Sequence, residues 1–76
     1  MGRQLTLGER VRALRHERGW TLAVLAGHAY MSVSYLNDIE HDRALPSLGR
    51  LQAIAEALSM DARGLLEGVA PFDSSR

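Results

Sequence analysis

The stretch MSVSYLNDIEHDRALPSL, residues 31–48, reads as a short helix with a hard stop after it, and its outward positions carry Val33, Ser34, Asn37 and Asp38. These supply a methyl surface, a hydroxyl, a carboxamide and a carboxylate. Such groups recognise another surface by contact and hydrogen bond. No Lys or Arg precedes Arg43 in the stretch. The segment therefore either reads a nucleic acid whose phosphates are gripped from elsewhere, or serves another kind of partner. Bond-making chemistry is excluded more firmly. There is no Cys, the Ser residues mostly stand where helices start, and no His–carboxylate–nucleophile grouping is visible. A chain of 76 residues is also too short to bury a substrate pocket of ordinary size. His16, His28 and His41 lack the i, i+3 or i+4 spacing of a metal site, and no Cys joins them, so neither metal nor cofactor nor small-molecule ligand is indicated. His41 remains able to gain charge near phosphates below pH 7.

The elements that position this stretch follow from periodicity. Apolar residues recur at helical spacing throughout, without the strict alternation of a strand. A first helix over residues 7–18 places Leu7, Val11 and Leu14 on one face, and Gly19 supplies the left-handed residue that ends it. TLGE at its start is a capping box, with Thr6 as cap and Glu9 reaching back. That reading is preferred to the loose match of MGRQLT to a myristoylation pattern. Thr21 caps a second helix with Leu22, Leu25, Ala26 and Ala29 inward. Ser32 caps the third, with Leu36 and Ile39 inward. Asp42 tolerates a left-handed backbone and Pro46 keeps Leu45 extended, which stops the third helix. Ser47 caps a fourth whose Leu48, Leu51, Ile54, Ala55 and Leu58 form a stripe. Asp61 caps a short fifth with Leu65 and Leu66, ended by Gly68 and weakened by Gly64 at a cost of about 1 kcal/mol against Ala. Trp20, just past a glycine stop, reads as a core plug rather than a ligand stack. The expected fold is all-α: a compact five-helix bundle over residues 1–70 with a mobile tail over 71–76.

Composition is compatible with one small domain. The hydrophobic fraction of 46% is ordinary for a globular chain, and no apolar run reaches a membrane span. Nine basic residues, all Arg, balance nine acidic ones. Phosphate-binding chains usually carry a basic excess, so any such role depends on where the charges sit. Arg3, Arg10, Arg12, Arg15 and Arg18 crowd the first quarter.

The short link AYM between helices two and three suits a helix-turn-helix. Residues 7–69, and most specifically S-x-S-Y-L-x-x-I-E followed by P-S-L, resemble the DNA-binding domain of the XRE family, the Cro/cI-type repressors. The resemblance implies that residues 32–40 are a recognition helix in the major groove of double-stranded DNA, and that the chain is a small transcriptional regulator, a repressor, working on a pseudo-palindromic operator. Val33, Ser34, Asn37 and Asp38 would then face base edges: a thymine methyl for Val33, several edges for Ser34, adenine for Asn37, the cytosine amino group for Asp38. Asp38 could equally pair with Arg43 across the helix end. Phosphate contacts would come from Thr21, Ser32, Tyr35, His41, Arg43 and Arg10, Tyr35 being either a donor or half-buried packing. The family pattern also implies a buried ion pair between Arg15 and Glu40. Leu22 stands where Gln is frequent, and Asp42 and Tyr30 where Gly is frequent. These departures remove phosphate contacts or add negative charge.

A lone recognition helix covers few base pairs, which points to a symmetric homodimer. Met60, Leu65, Leu66, Val69 and Phe72 offer apolar surface for it. The expected location is the cytoplasm, with the nucleoid. The rival reading is a protein-interaction module of the same shape, such as an antitoxin or regulatory partner. The resemblance also leaves open whether residues 1–76 act alone or as the DNA-binding half of a longer repressor.

Overall fold

The computed structural model describes residues 4–70. Five helices follow one another: α1 Leu7–Glu17, α2 Leu22–His28, α3 Val33–Glu40, α4 Leu48–Ala57 and α5 Ala62–Leu65. None reaches the ~12–15 residues at which an isolated helix becomes marginally stable in water, so their stability has to come from caps and packing. Each start is capped as the sequence predicts. Thr6, Thr21, Ser32, Ser47 and Asp61 accept from the backbone N–H three residues on. At α1 the box is complete, with Glu9 N donating to Thr6 Oγ1 at 3.1 Å and Thr6 N to Glu9 Oε1 at 3.0 Å.

The helix ends use left-handed residues, at Gly19 and Gly68 but also at Tyr30 (φ 58°), Asp42 (φ 60°) and Ser59 (φ 61°). Asp42 was foreseen and Ser59 was not. A tyrosine in this region carries real backbone cost. It is held because Met31 N donates to Ala26 O and Tyr30 N to Gly27 O, which fixes the α2–α3 turn from both sides.

The core is one cluster. Val11, Leu25, Leu36, Ile39, Ile54, Leu58 and Leu65 are each at most 1% exposed. Burying a side chain of this size contributes about 1.5–3 kcal/mol, against about 1 kcal/mol for a cap. α3 packs against both α1 and α2, α2 also against α4, and α4 against α5. Trp20 packs on this core as expected, stacked on His28 with ring centroids 4.9 Å apart.

Three expectations are corrected. Leu48 is 67% exposed although it is in phase with the α4 stripe, because it stands in the first turn of α4, which overhangs the core rather than covering it. Leu65 is fully buried, so it belongs to the core and is withdrawn from the dimer surface. α5 ends at Leu65, three residues before Gly68, and the chain then turns to run beside the N-terminal segment. Leu5 and Val69 form a single parallel bridge, with Leu5 N donating to Gly68 O and Ala70 N to Leu5 O at 2.8 Å. Val69 is thereby half-buried against the core. Phe72 and the expected tail over 71–76 lie outside the described residues, as does Gly2. Among the described residues no helix is long and apolar enough to cross a membrane.

Candidate nucleic-acid interface

α3 presents two unlike faces. Leu36 and Ile39 are buried, whereas Val33 is 44% exposed, Ser34 is exposed, and Asn37 and Asp38 are half-buried. Positions i, i+1, i+4 and i+5 share one side of a helix, so the four predicted reading residues form one row. Among the described residues the side chains of Ser34 and Asn37 have no hydrogen-bond partner. Their donors and acceptors are left for something outside the chain.

Three interactions fasten the C-terminal end of α3 to α1. The predicted pair is present and bidentate: Arg15 Nε donates to Glu40 Oε2 at 2.8 Å and Nη2 to Oε1 at 2.9 Å. The Arg15 side chain is 10% exposed and that of Glu40 1%, and Arg15 Nη1 also donates to Trp20 O at 2.8 Å. The hydrogen bond to Glu40, with its charge, raises the Arg15 guanidinium above the already high ordinary value, against the opposing effect of burial. Stability from a raised pKa is lost only as pH climbs past that value, so this residue makes no pH dependence in the neutral range. Among the described residues no buried side-chain nitrogen or oxygen lacks a partner.

The second fastening is Gly8. A Cβ there would stand 2.5 Å from the carbonyl oxygens of Ile39 and Glu40, so only glycine allows this approach. The third is Asp42. Its carboxylate accepts from Gly8 N at 3.0 Å and from Thr6 Oγ1 at 2.7 Å. This corrects the view of Asp42 as negative charge set against phosphates: the carboxylate is turned onto the start of α1, where unpaired N–H groups and the helix dipole favour an anion.

The predicted phosphate-binding residues divide. Thr21 and Ser32 are exposed, and their hydroxyl oxygens accept from Val24 N (3.2 Å) and Tyr35 N (3.0 Å), which leaves each hydroxyl proton free to donate. His41 is exposed with Nδ1 2.9 Å from Asn37 O. A carbonyl only accepts, so that nitrogen carries the proton. Tyr35 is half-buried and packs on the core. Arg10 is a correction. Its Nε donates to Leu65 O at 3.2 Å and its Nη2 to Gly64 O at 3.0 Å, so it satisfies the last carbonyls of α5 instead of facing outward. A helix C-terminus leaves those carbonyls without helical partners, and an arginine within reach is drawn to them.

Arg43 and Asp38 pair with each other. Arg43 Nε and Nη2 both lie 3.0 Å from Asp38 Oδ1, and the two side chains are 54% and 43% exposed. The loop backbone closes on the same residue, Arg43 N and Ala44 N both donating to Asp38 O. Leu45, 67% exposed, follows immediately.

Sequence reasoning passed over Arg50. It is exposed at the start of α4, and with Tyr30, Met31, Ser32 and Tyr35 it lines an open notch of about 420 Å³. One signal was available: a cation in the first turn of a helix sits against the dipole. Among the described residues no group of three His, Asp or Glu side chains is placed to hold a metal ion.

Comparison with known proteins agrees with this geometry. Residues 6–67 match the helix-turn-helix domain family. The chain is 48% identical over 65 residues to the HTH-type transcriptional regulator DdrOP3 of Deinococcus deserti, covering 86% of this chain and 50% of that protein. It is 45% identical over 62 residues to the immunity repressor protein of Bacillus phage phi105, covering 82% and 43%. The chain thus spans about half the length of these curated relatives. Among solved structures, SinR of Bacillus subtilis in complex with DNA superposes with a TM-score of 0.74 at 32% identity, covering 80% of this chain and 98% of that one. The chain belongs to the helix-turn-helix domain family, of the Cro/cI (XRE) type.

Proposed function

We propose that this domain binds double-stranded DNA in a sequence-dependent manner and serves as the DNA-reading part of a transcriptional regulator, with α3 laid in the major groove. The observation that carries this reading is the row Val33, Ser34, Asn37 and Asp38. It is presented on a helix whose inner face is buried and whose C-terminal end is fastened to α1. Rigid presentation matters because base readout needs donors and acceptors held in register with the groove. The likeness to a regulator solved in complex with DNA supports the same reading.

Asn37 is matched to adenine and Val33 to a thymine methyl. Asp38 and Arg43 act as a unit: the guanidinium offsets the carboxylate's repulsion by the phosphates, and the carboxylate's remaining lone pairs stay open to a cytosine amino group. Phosphates are met by the hydroxyls of Thr21 and Ser32, by His41, and by the outer N–H groups of Arg43. With Arg10 turned inward, few cations remain, so the dependence on salt is shallow for a protein of this class.

The working form is a symmetric homodimer, which sets two recognition helices about 34 Å apart on one side of the duplex. Its surface lies around α5, where Leu66 is 37% exposed beside the half-buried Met60 and Val69. Sedimentation tests this half of the proposal: Leu66→Asp should be a folded monomer that prefers no full site over a half-site. For DNA binding itself, the domain should retard a mixed-sequence duplex at low salt and release it as salt is raised. A chain that retards no duplex at any salt would favour a protein-interaction module instead.

A further inference from the structure

The notch at the start of α3 brings together side chains that suit one ligand chemistry. Arg50 lines it from α4, Ser32 and Tyr35 from the start of α3, and Tyr30 from the turn between α2 and α3. Arg50 is exposed, and among the described residues its side chain has neither a hydrogen-bond nor an ion-pair partner. It shares that state with Arg12 and Arg63, whereas the guanidinium groups of Arg10, Arg15, Arg18 and Arg43 are all engaged with carbonyls or carboxylates of the chain. Its place in the first turn of α4 is electrostatically unfavourable, so nothing within the domain rewards a cation there. Tyr30 is 88% exposed although its backbone is held left-handed, which sets its side chain in solvent at the notch. A free guanidinium, two phenols and a hydroxyl are all donors, and no Asp or Glu lines the notch. An array of donors around one cation, open to solvent, fits a singly charged tetrahedral oxyanion.

We propose that this notch is a phosphate clamp for the DNA backbone, with Arg50 as its cation and Tyr30 and Tyr35 as flanking donors. The proposal rests on the DNA-binding reading above and adds a contact that it lacks. The clamp sits at the opposite end of α3 from Arg43, so the two arginines would grip the backbone on either side of the base-reading row. It supplies on α4 what the loss of Arg10 removes elsewhere. A guanidinium in the clamp positions the helix and reads no sequence, so its loss weakens binding to all sequences alike.

The test compares two substitutions that change net charge equally. Arg50→Gln and Arg12→Gln each remove one exposed cation, and Arg12 stands on α1, outside the notch. Affinity for a mixed-sequence duplex would be followed by fluorescence anisotropy across a range of salt. The clamp requires Arg50→Gln to lower the slope of log K against log salt by about one, while Arg12→Gln leaves it near the parent value. Tyr35→Phe should weaken binding less, without changing the slope. Both variants should keep the parent's thermal midpoint, since neither guanidinium has a partner inside the described fold. Equal effects from the two arginines would overturn the clamp while leaving DNA binding intact, whereas a parent protein that binds no duplex would overturn both. Titration with inorganic phosphate covers the other source of this ligand. Arg50-dependent saturation at low millimolar phosphate, with no change in the DNA slope, would make the notch a small-anion site and refute its role on the duplex.

Discussion

Helix α3 carries two arginine–carboxylate pairs that differ in almost everything but chemistry. Glu40 meets Arg15 in a seam where the two side chains are 1% and 10% exposed, and both guanidinium–carboxylate contacts are short and directed. Asp38, two residues earlier, meets Arg43 at 3.0 Å with both side chains about half in solvent. The buried pair is costly to form, and far more costly to break on one side only, because the remaining charge stays desolvated. The exposed pair is worth at most about 1 kcal/mol, so either member can exchange its partner for something outside the chain. One helix thus has an end that must not move and a face that is free to bind.

Breaking the seam should have the largest effect on stability. Glu40→Ala is expected to cost about 3–5 kcal/mol, which for a domain of this size lowers the thermal midpoint by about 12–40 °C in a calorimetric or circular-dichroism melt. A midpoint within a degree or two of the parent would mean that the seam does not hold α3. Gly8→Ala probes the same contact without touching a charge. Its Cβ meets two backbone carbonyls at 2.5 Å, which cannot rotate away, so a loss of about 1–3 kcal/mol is expected in chemical denaturation. Asp42→Ala removes the acceptor for Gly8 N and Thr6 Oγ1 and puts a Cβ residue without local hydrogen bonding at φ 60°. About 1–2 kcal/mol is expected.

The smallest effect on stability should come from the exposed pair. Asp38→Ala and Arg43→Ala should each lower the stability by no more than about 1 kcal/mol, in contrast to Glu40→Ala on the same helix. Their effect on DNA sharpens the comparison. If the two side chains act as a unit, the loss in Asp38→Ala plus the loss in Arg43→Ala should exceed the loss in the double variant when affinities for one duplex are measured. Strict additivity would separate a base-reading Asp38 from a phosphate-gripping Arg43.

What the sequence revealed and what it hid divide along the same line. Caps, stops and stripes are local: Thr6 with Glu9, Gly19, Ser32 before Tyr35, Leu36 with Ile39. Each depends on residues within a turn or two, and each was legible. The Arg15–Glu40 pair spans 25 residues and was reached only through family resemblance, since spacing alone links no such partners. The contacts that were misread are those in which a polar side chain chooses among distant partners. Arg10 goes to the carbonyls of α5 and Asp42 to the start of α1, choices made by the packing of helices and not by neighbours in the chain. Leu48 fits the α4 periodicity yet overhangs the core, because a stripe predicts direction and not how far the neighbouring helix extends. Leu65 passed as surplus surface because the Leu5–Val69 bridge, which closes the bundle beside it, has no periodic signature.

The central claim, that the outer row of α3 reads base edges, is tested most directly by selecting bound sequences from a random duplex pool with the parent domain and with Asn37→Ala. The account predicts a two-fold symmetric consensus for the parent and, for the variant, the same consensus with preference relaxed at one symmetric pair of positions. The favoured base there should lose about 1–3 kcal/mol of discrimination. An identical consensus from the two proteins, or no enrichment by the parent at low salt, would contradict it.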